Sequence, residues 1–512
     1  MEVVLWLIGL CLASAEFAHD YAHIEAFLEQ KKFPVRRKYR PMYHIVAPVG
    51  WVGYPAGFVF YKSLFHVFYQ YHPYNGAWAA THWGHVASKN LVDWKHYPAA
   101  LVPKDYYEKH GCLAGSALIH NRYLTLFYSG HVISNNATTQ TQNVAISADA
   151  IMFRKYLYNP VIRTPPFGVG DFRNPKVWRY SQHWYMMVGS ATPDYHGKIE
   201  LYTSTDMFSW NFNKTLAHSF GDMGYMWESP DIIDIDGLDV LILSVQGIEP
   251  DGFRFRNSYQ TGYLVGKFNY KSLEFEDMEI STTTFHELDH GHDFYAAKTM
   301  VAPDGRRLLI GWIGSMNVEV KEAKNGWAHM LTLVRELQLD RYGAIRMYPV
   351  RETTKLRSEI LESAWYSPGE SFRAGYKSFE IQLNATTALR DINLSFEWGV
   401  GNQFKIGYSA DHRYIGIDRG GHDGVRRADW CPLESVNLRI FIDSSSVELY
   451  CGFGEVVFTS RIYPYGLVNV RVGGETNVHI TQYKLRRSIG HDKFLLKELK
   501  NHYVNKYKAK KV

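Results

Sequence analysis

Short segments of alternating apolar and polar residues dominate the chain from about residue 43 to residue 349. The segments end at Gly, Asn, Asp or Pro, which is the pattern of half-buried β-strands joined by turns. The most apolar of them recur roughly every 60 residues, at 57–61, 124–128, 184–188, 240–244 and 308–312. Four-stranded blades of a radial repeat have this spacing, so the pattern predicts a five-bladed β-propeller over residues 43–350.

A second series of strand patterns follows residue 350. Segments 379–383, 437–442 and 447–450 alternate in the same way, and the length of this region suits a β-sandwich over residues 351–488. We therefore predict an all-β chain with two domains. Residues 16–42 are expected to be a helical or irregular lead-in. Residues 489–512 form a basic tail whose apolar positions have helical spacing, which is typical of an amphipathic helix packed on its own domain or lying on an anionic surface.

The first residues resemble a secretory signal peptide. An apolar run at residues 3–12 is followed by Ala13-Ser14-Ala15, a small-residue cleavage pattern, although the preceding residues carry Glu2 and no basic residue. We therefore predict a signal peptide over residues 1–15 and a secreted, extracellular protein. Glycosylation sequons agree with that prediction, and they begin at Asn136, Asn213, Asn384 and Asn393.

Three cysteines would remain after the loss of Cys11 with the signal peptide, so the chain has no disulfide framework. At most one bridge can form. We expect it between Cys431 and Cys451, which both lie in the C-terminal region.

The composition argues against several other classes of protein. A net charge of +5 is small for 512 residues and does not indicate a nucleic-acid partner. A mean hydropathy of −0.27 argues against a polytopic membrane protein, and no later apolar run is long enough to be a transmembrane segment. No nucleotide motif occurs, and the histidines lack a convincing set of metal ligands, so we expect no cofactor and no metal.

Several motifs in a fixed order resemble one enzyme family over residues 44–483. The clearest are 48–57, Asp171-Phe-Arg-Asn-Pro175, Tyr225-Met-Trp-Glu228 and Asp443-Ser-Ser-Ser-Val-Glu448. In these segments the chain is similar to glycoside hydrolase family 32, the β-fructofuranosidases and invertases. The resemblance implies a five-bladed propeller followed by a β-sandwich. It also implies hydrolysis of sucrose and related β-fructosides, with a small sugar such as sucrose or fructose as the partner.

The same resemblance implies a retaining mechanism with two carboxylates about 5–5.5 Å apart. One attacks the anomeric carbon, and the other protonates the leaving oxygen and then activates water. Glu228 matches the acid/base. The family nucleophile is the Asp of a Trp-Met-Asn-Asp-Pro-Asn-Gly segment, and Tyr54 stands at that position. No Asp or Glu occurs from residue 30 to residue 92, so no nearby carboxylate can replace it.

Other departures from the family pattern surround the same sugar site. The Arg-Asp-Pro motif, whose Asp stabilises the positively charged transition state, reads Arg173-Asn174-Pro175 in this chain. Gly53, Ala56 and Ala114 stand where the family carries Asn, Asn and Ser. Electrostatic stabilisation is therefore expected to be lost at both position 54 and position 174.

These observations predict a family 32 protein with little or no hydrolase activity. One alternative is an active β-fructofuranosidase in which Tyr54 is a non-standard nucleophile, as Tyr is in sialidases. Another is a secreted, non-catalytic protein that binds carbohydrate or a partner.

Sugar contacts are expected to persist around the pocket. The family motifs assign them to Gln70, Trp78, Arg173, Asp293 and Tyr295, although Trp78 equally fits a core aromatic of the propeller. Lys298 stands where the family often has Gln and is expected to change the charge of the pocket rim. Segment 443–448 is expected to be structural and to close the sandwich against the propeller.

Overall fold

The computed structural model describes residues 35–135, 137–166, 170–316, 320–374 and 377–490. Within these ranges the β-strands form seven sheets, of which five make a propeller and two make a sandwich. The all-β fold that the sequence predicts is confirmed. The predicted signal peptide, the sequon at Asn136, most of the lead-in and nearly all of the basic tail lie outside the described residues. No helix in the described ranges is long and apolar enough to cross a membrane.

The first three blades each contain four antiparallel strands that follow one another along the chain. Blade I comprises β1 (Gly50–Tyr61), β2 (Leu64–His72), β3 (His82–Ser88) and β4 (Trp94–Leu101). Blade II comprises β5 (Cys112–His120), β6 (Tyr123–Ser134), β7 (Ala137–Ser147) and β8 (Arg154–Lys155). Blade III comprises β9 (Phe172–Tyr180), β10 (His183–Ala191), β11 (Gly197–Ser204) and β12 (Asn211–His218).

The last two blades carry additional short strands. Blade IV comprises β13 (Met226–Ile235), β14 (Leu238–Gln246), β15 (Tyr259–Asn269), β16 (Glu274–Glu276) and β17 (His286–Glu287). Blade V contains β18 (Phe294–Val301) and β19 (Arg307–Ile313), then β21 (Met330–Leu331), β22 (Arg335–Leu339) and β23 (Ile345–Pro349). The intervening β20 (Trp327–Ala328) leaves blade V and pairs in parallel with β1 of blade I, which closes the ring.

The innermost strand of each blade faces the propeller axis. Strands β1, β5, β9, β13 and β18 contact one another in that order, and β18 contacts β1 to complete the circle. All five are largely buried along the half nearest their N-terminal ends. Side chains at matching positions of these strands therefore converge on one end of the central channel.

The sandwich consists of two six-stranded antiparallel sheets. Two 3₁₀ turns, Ala323–Asn325 and Arg351–Leu356, precede it in the chain. One sheet has the strand order β24-β35-β26-β31-β32-β33, and the other has the order β25-β34-β27-β28-β29-β30. In chain order the strands are β24 (Arg357–Tyr366), β25 (Ser371–Ala374), β26 (Phe379–Ala385), β27 (Ile392–Trp398), β28 (Asn402–Ser409), β29 (Tyr414–Asp418), β30 (Val425–Asp429), β31 (Val436–Asp443), β32 (Ser446–Cys451), β33 (Val456–Arg461), β34 (Val468–Gly474) and β35 (Val478–Leu485).

A buried charged cluster joins the two domains, and we call it the interdomain cluster: His44, Asp289 and Arg335 from the propeller side with Asp443 and Glu448 from the sandwich. His44 lies 2.9 Å from Asp443 and 2.8 Å from Glu448. Arg335 lies 2.8 Å from Asp289 and 2.7 Å from Glu448. All five side chains are fully buried. Segment 443–448 thus holds the sandwich against the propeller, as its motif predicted.

The expected disulfide is wrong. Cys431 is exposed after β30, whereas Cys451 is buried at the end of β32, and both are free, as is the buried Cys112. Their common location in the C-terminal region did not pair them, because Cys431 follows β30 of one sheet and Cys451 ends β32 of the other.

Candidate active site

Each innermost strand changes register at the converging end of the channel. The β-bulges lie between Val52 and Gly57 in β1, Leu113 and Gly115 in β5, Arg173 and Lys176 in β9, Glu228 and Asp231 in β13, and Tyr295 and Lys298 in β18. A bulge bends its strand and re-aims the side chains beside it. The bulges bring positions 54, 114, 174, 228 and 295 to one place, which is the candidate site.

Three of these bulges contain backbone strain. Asn174, Ser229 and Ala296 have φ values of 65°, 48° and 53°, in the left-handed region that non-glycine residues rarely adopt. Such strain persists where surrounding contacts enforce it, and it is concentrated at functional sites. Three strained positions thus lie together at the candidate site.

Glu228 lies at the centre of the site and accepts four hydrogen bonds. Its Oε1 accepts one from Arg173 Nε at 2.6 Å. Its Oε2 accepts one each from Tyr295 Oη and Gln246 Nε2 at 2.8 Å, and a longer one from Tyr54 Oη at 3.4 Å. Four donors from four different residues therefore converge on this one carboxyl group.

Tyr54 is buried against the site residues and is not aimed at open solvent. Its ring packs edge-on against Tyr295 and Trp312, with centroid separations of 5.4 and 5.3 Å. Burial, reinforced by the neighbouring Glu228 carboxylate, raises the pKa of Tyr54 well above its ordinary value. The phenol is therefore neutral at physiological pH, and a neutral phenol is a poor nucleophile.

Asn174 uses its side-chain amide within the scaffold. Its Nδ2 donates to the backbone oxygen of Ala114 at 3.4 Å, and its Oδ1 accepts from the backbone N–H of Ser229 at 3.3 Å. The residue is buried and uncharged. It ties blades II, III and IV together at their bulges and supplies no negative charge to the pocket.

Gly53 stands where the family pattern has Asn, and the side chain of Trp51 explains the absence of a larger residue there. A Cβ atom on residue 53 would lie only 2.2 Å from Cη2 of Trp51, so the indole ring occupies the space of any larger side chain there. The same Cβ would lie 3.1 Å from that of Gln70, which places the predicted sugar contact Gln70 beside residue 53.

Trp78 lies at the outer edge of the site, in the loop between β2 and β3. It is 46% exposed, which excludes the core position that the sequence left open. Its ring packs edge-on against His131 at 6.4 Å. Arg173 in turn reaches from Glu228 to Asp171, a half-exposed carboxylate, so the rim carries charge as well as an aromatic face.

Asp293 and Tyr295 face a small cavity of about 140 Å³ beside the site. Tyr295 contacts Glu228 directly, as described above. Asp293 instead accepts hydrogen bonds from Arg419 Nη1 and from the backbone N–H of Arg461, both at 2.7 Å. The sandwich therefore engages the Asp293 carboxylate, and the role of Asp293 in sugar binding stays a prediction.

Lys298 does not lie at the pocket rim, contrary to expectation. It is buried below the site, with Nζ 3.4 Å from the carbonyl oxygen of Pro230. The bulge between Tyr295 and Lys298 separates the two residues, so Lys298 faces the channel interior and the rim keeps its charge unchanged.

Two site residues escaped the sequence-based assignment. Gln246 donates to Glu228, and its Gln-Gly motif was a usable signal. Trp312 forms the wall against Tyr54, but nothing in its sequence context distinguishes it from other apolar residues of a strand. Within the described ranges, no three His, Cys, Asp or Glu residues are grouped so that they could hold a metal ion.

Comparison with protein families assigns both domains. The N-terminal domain model of glycosyl hydrolases family 32 matches residues 44–349, and the C-terminal model of the same family matches residues 351–484. Among characterised relatives, a sucrose-6-phosphate hydrolase of Escherichia coli is 36% identical, with 83% of this chain and 89% of that protein covered. A raffinose invertase of Escherichia coli is 34% identical with the same coverage.

Solved structures give the same result. The chain superimposes on a GH32 β-fructofuranosidase of Bombyx mori, BmSUC1, with a TM-score of 0.86 and 39% sequence identity. The match covers 92% of this chain and 99% of that one. A mutant of the Bombyx mori enzyme in complex with sucrose matches equally well.

Proposed function

This chain belongs to glycosyl hydrolase family 32, and we propose that its pocket binds sucrose or a related β-fructoside but hydrolyses it slowly or not at all. The names of its relatives, among them a sucrose-6-phosphate hydrolase, a raffinose invertase and a β-fructofuranosidase solved with sucrose, support the choice of sugar. The residues at positions 54 and 174 support the loss of hydrolysis.

One observation carries the proposal: the Tyr54 hydroxyl lies 3.4 Å from Glu228 Oε2. A retaining glycosidase keeps its nucleophile and its acid/base about 5–5.5 Å apart, because the anomeric centre and leaving oxygen lie between them. The Tyr54 side chain occupies that space and brings no carboxylate. Removing a key member of a catalytic set costs on the order of 10⁴ or more in rate.

Asn174 adds a second loss. An oxocarbenium-like transition state develops positive charge, and a preorganised opposite charge beside it contributes roughly 10²- to 10³-fold in rate. The Asn174 amide carries no charge, and its bonds to Ala114 and Ser229 commit it to the scaffold.

The alternative of Tyr54 as a nucleophile needs a base beside the phenol. Among the residues that the structure describes, Glu228 is the carboxylate that hydrogen-bonds to Tyr54, and the same reaction requires Glu228 to protonate the leaving oxygen. One residue cannot do both in the same step. Burial also raises the pKa of Tyr54, which opposes its ionisation.

The test is a sucrose hydrolysis assay with the purified protein and a matched Glu228→Gln variant. We expect both proteins to release fructose at the same background rate. Sucrose turnover that Glu228→Gln abolishes would overturn the proposed loss of activity. Calorimetric titration with sucrose and with fructose tests the proposed sugar binding. The absence of a binding heat with both sugars would overturn it.

We also propose that the protein is secreted and glycosylated. The sequon residues Asn213, Asn384 and Asn393 are exposed on strands, which leaves their side chains accessible for a glycan. Expression in a eukaryotic secretory host should give a product in the medium whose mass falls on enzymatic deglycosylation. Retention of all the protein inside the cells at its unmodified mass would contradict both points.

A further inference from the structure

One sheet of the sandwich has an open furrow across its outer face, and the sequon residue Asn393 lies in it. Asn393 of β27 opposes Gly473 of β34 on one side and Gly407 of β28 on the other. Gly407 in turn opposes Gly416 of β29, which opposes Arg427 of β30. Because Gly407 and Gly416 carry no side chain, a floor of bare backbone separates Asn393 from Arg427, over three strand spacings of about 4.8 Å each.

Backbone conformation does not account for these glycines. None of Gly407, Gly416 and Gly473 has a positive φ, and a glycine inside a strand weakens the sheet unless something else approaches it closely. A Cβ atom on Gly473 would meet nothing closer than 3.5 Å, and one on Gly407 would be limited by Asn393 Oδ1 at 2.8 Å, the end of a flexible side chain. Gly416 has a packing reason, since its Cβ would lie 2.8 Å from the backbone oxygen of Arg426. The furrow is therefore space that the sequence leaves unfilled, and the Asn393 side chain leans over it.

The walls of the furrow combine an aromatic ring with charged side chains around a cavity of about 220 Å³. Lys405 and Asp418 oppose each other along one side, and Tyr414 lies along the other. At the far end, Cζ of Arg427 lies 4.6 Å from the centroid of the Tyr414 ring and 4.4 Å from that of Phe253. An aromatic face covers the apolar face of a sugar ring, while charged groups bind its hydroxyl groups, so these walls suit a carbohydrate.

We propose that Asn393 carries an N-linked glycan whose first N-acetylglucosamine residues lie in this furrow, directed towards Tyr414 and Arg427. The inference rests on the proposed glycosylation and names the site and the contacts of the glycan. In the modification, Asn393 Nδ2 bonds to the anomeric carbon of the first sugar, the bond from that carbon to the diphosphate of a lipid-linked donor breaks, and the amide loses a proton. The sugar then covers the bare backbone, and its hydroxyl and acetamide groups meet Lys405 and Asp418.

Two other sequons of the same chain provide the internal comparison. Asn384 also lies on a central strand of the sandwich, β26, but it opposes Asn437 and His479, which both carry side chains. Asn213 lies on β12, the outermost strand of blade III. Neither position has the glycine neighbours of Asn393, so a glycan on either residue is expected to extend into solvent.

The experiment measures the accessibility of each glycan on the full chain secreted from a eukaryotic host. Peptide mass spectrometry first gives the occupancy of each sequon. A glycan-releasing amidase is then applied to the native protein. We expect it to release the Asn393 glycan about tenfold more slowly than those on Asn213 and Asn384, because an aromatic contact and a hydrogen bond to a charged group must open first. After denaturation the three rates should be equal.

Two variants of the furrow test the contacts separately. Tyr414→Ala should remove most of the protection at Asn393, whereas Tyr414→Phe should keep it, since the ring covers the sugar and the hydroxyl is not required. Gly407→Thr places a residue that strands favour on the floor of the furrow, so it should expose the glycan without weakening the fold. Tyr342→Ala, an exposed tyrosine in the β22–β23 turn, is the matched control and should leave all three rates unchanged.

Equal release from the three native sites would overturn the seated glycan, and so would protection that survives both Tyr414→Ala and Gly407→Thr. An unmodified Asn393 in a product glycosylated at Asn213 or Asn384 would overturn it while leaving the proposed glycosylation intact. A product without a glycan at any site would refute both. Binding of free chitobiose to the Asn393→Gln variant, together with an unprotected glycan in the parent, would overturn the covalent occupant and assign the furrow to a free sugar.

Discussion

Two buried glutamates of this chain, Glu228 on the propeller axis and Glu448 in the interdomain cluster, share the same kind of coordination. Glu448 accepts hydrogen bonds from Arg335, Tyr450, His44 and the backbone N–H of Leu333. Glu228 accepts its four from one arginine, two tyrosines and a glutamine. An acid/base residue must exchange a proton, whereas a structural carboxylate only has to stay ionised.

The difference between the two sites lies in their charge. Glu448 belongs to a cluster of three carboxylates and two basic groups. Glu228 has Arg173 as its basic partner, and the positions where the family places a second and third carboxylate carry Tyr54 and Asn174. The Glu228 site therefore contains fewer charged groups than the interdomain cluster around Glu448.

Charge removal at each glutamate is the strongest test of this comparison. Glu448→Gln should lower the free energy of unfolding by about 3–5 kcal/mol, because it leaves Arg335 and His44 buried beside an uncharged partner. Glu228→Gln should lower it by about 1–2 kcal/mol, since Arg173 keeps Asp171 and the glutamine can still accept. Denaturant unfolding of both variants beside the parent measures the two losses.

The sign of the stability change in Glu228→Gln decides whether Glu228 resembles the structural Glu448. A residue kept for catalysis commonly reduces stability, so its replacement often stabilises the protein. If Glu228→Gln raises the stability, Glu228 is still a strained catalytic group, and its likeness to Glu448 is superficial.

Restoring the missing carboxylates should reverse the change at the propeller axis. Tyr54→Asp alone is expected to recover little sucrose hydrolysis, because Asn174, Gly53 and Ala114 remain. Adding Asn174→Asp should raise the rate of the Tyr54→Asp variant roughly 10²- to 10³-fold, the contribution of one preorganised charge. Fructose release from sucrose measures both steps.

Asn174→Asp alone is the control and should stay at background, since it supplies no nucleophile. Full activity from Tyr54→Asp alone would show that the rest of the pocket is competent and that Asn174 is not a loss. An inactive double variant would place the defect elsewhere, with Gly53 and Trp51 as the next positions to change.

The sequence predicted the propeller and the sandwich, because these depend on local strand patterns and short motifs, whereas the loss of activity at positions 54 and 174 stays a prediction. It did not predict that Asp293 pairs with Arg419 or that Lys298 is buried. Asp293 and Arg419 are separated by 126 residues and meet only through domain packing. The burial of Lys298 follows from a bulge, and a bulge shifts the alternation of a strand without a signature in the residues themselves.

The pH dependence of stability should separate the interdomain cluster from the candidate site. Burial alone would lower the pKa of His44, but Asp443 and Glu448 outweigh it and raise the pKa to about 9. The protonated His44 therefore contributes its full stabilisation below pH 6.5, the ordinary pKa of histidine. This contribution is lost as the pH rises through about 9. The two carboxylates have lowered pKa values, that of Glu448 reaching about 2, so their contribution is lost only in acid.

His44→Gln should therefore cost about 3 kcal/mol near pH 6 and progressively less towards pH 9. Thermal unfolding of the parent and the variant across this range measures the difference. His412→Gln, an exposed histidine of the sandwich, is the matched control and should give a constant, small difference. A cost of His44→Gln that does not change with pH would mean that the imidazole acts there as a neutral hydrogen-bonding group.

Lys298 should give the smallest effect, and it differs from His44 because it lacks a carboxylate of its own. Its neighbouring carboxylate, Asp231, is already bound by Lys176 and Thr299. Burial lowers the pKa of Lys298 to about 8, although Asp231 partly opposes the shift. The unfolded chain then binds the extra proton between about pH 8 and 10.5, so the stability of the parent rises with pH across this window. Lowering the pKa from 10.5 to about 8 costs the folded state about 3 kcal/mol at pH 7. Because Met also loses the hydrogen bond from Nζ to the Pro230 carbonyl, worth about 1–1.5 kcal/mol, Lys298→Met should stabilise the fold by about 1–2 kcal/mol at pH 7, and the gain should vanish by about pH 10. Lys176→Met is the control, because it removes the partner of Asp231. It should destabilise the fold at both pH values. Equal effects of the two variants would show that the two lysines share Asp231.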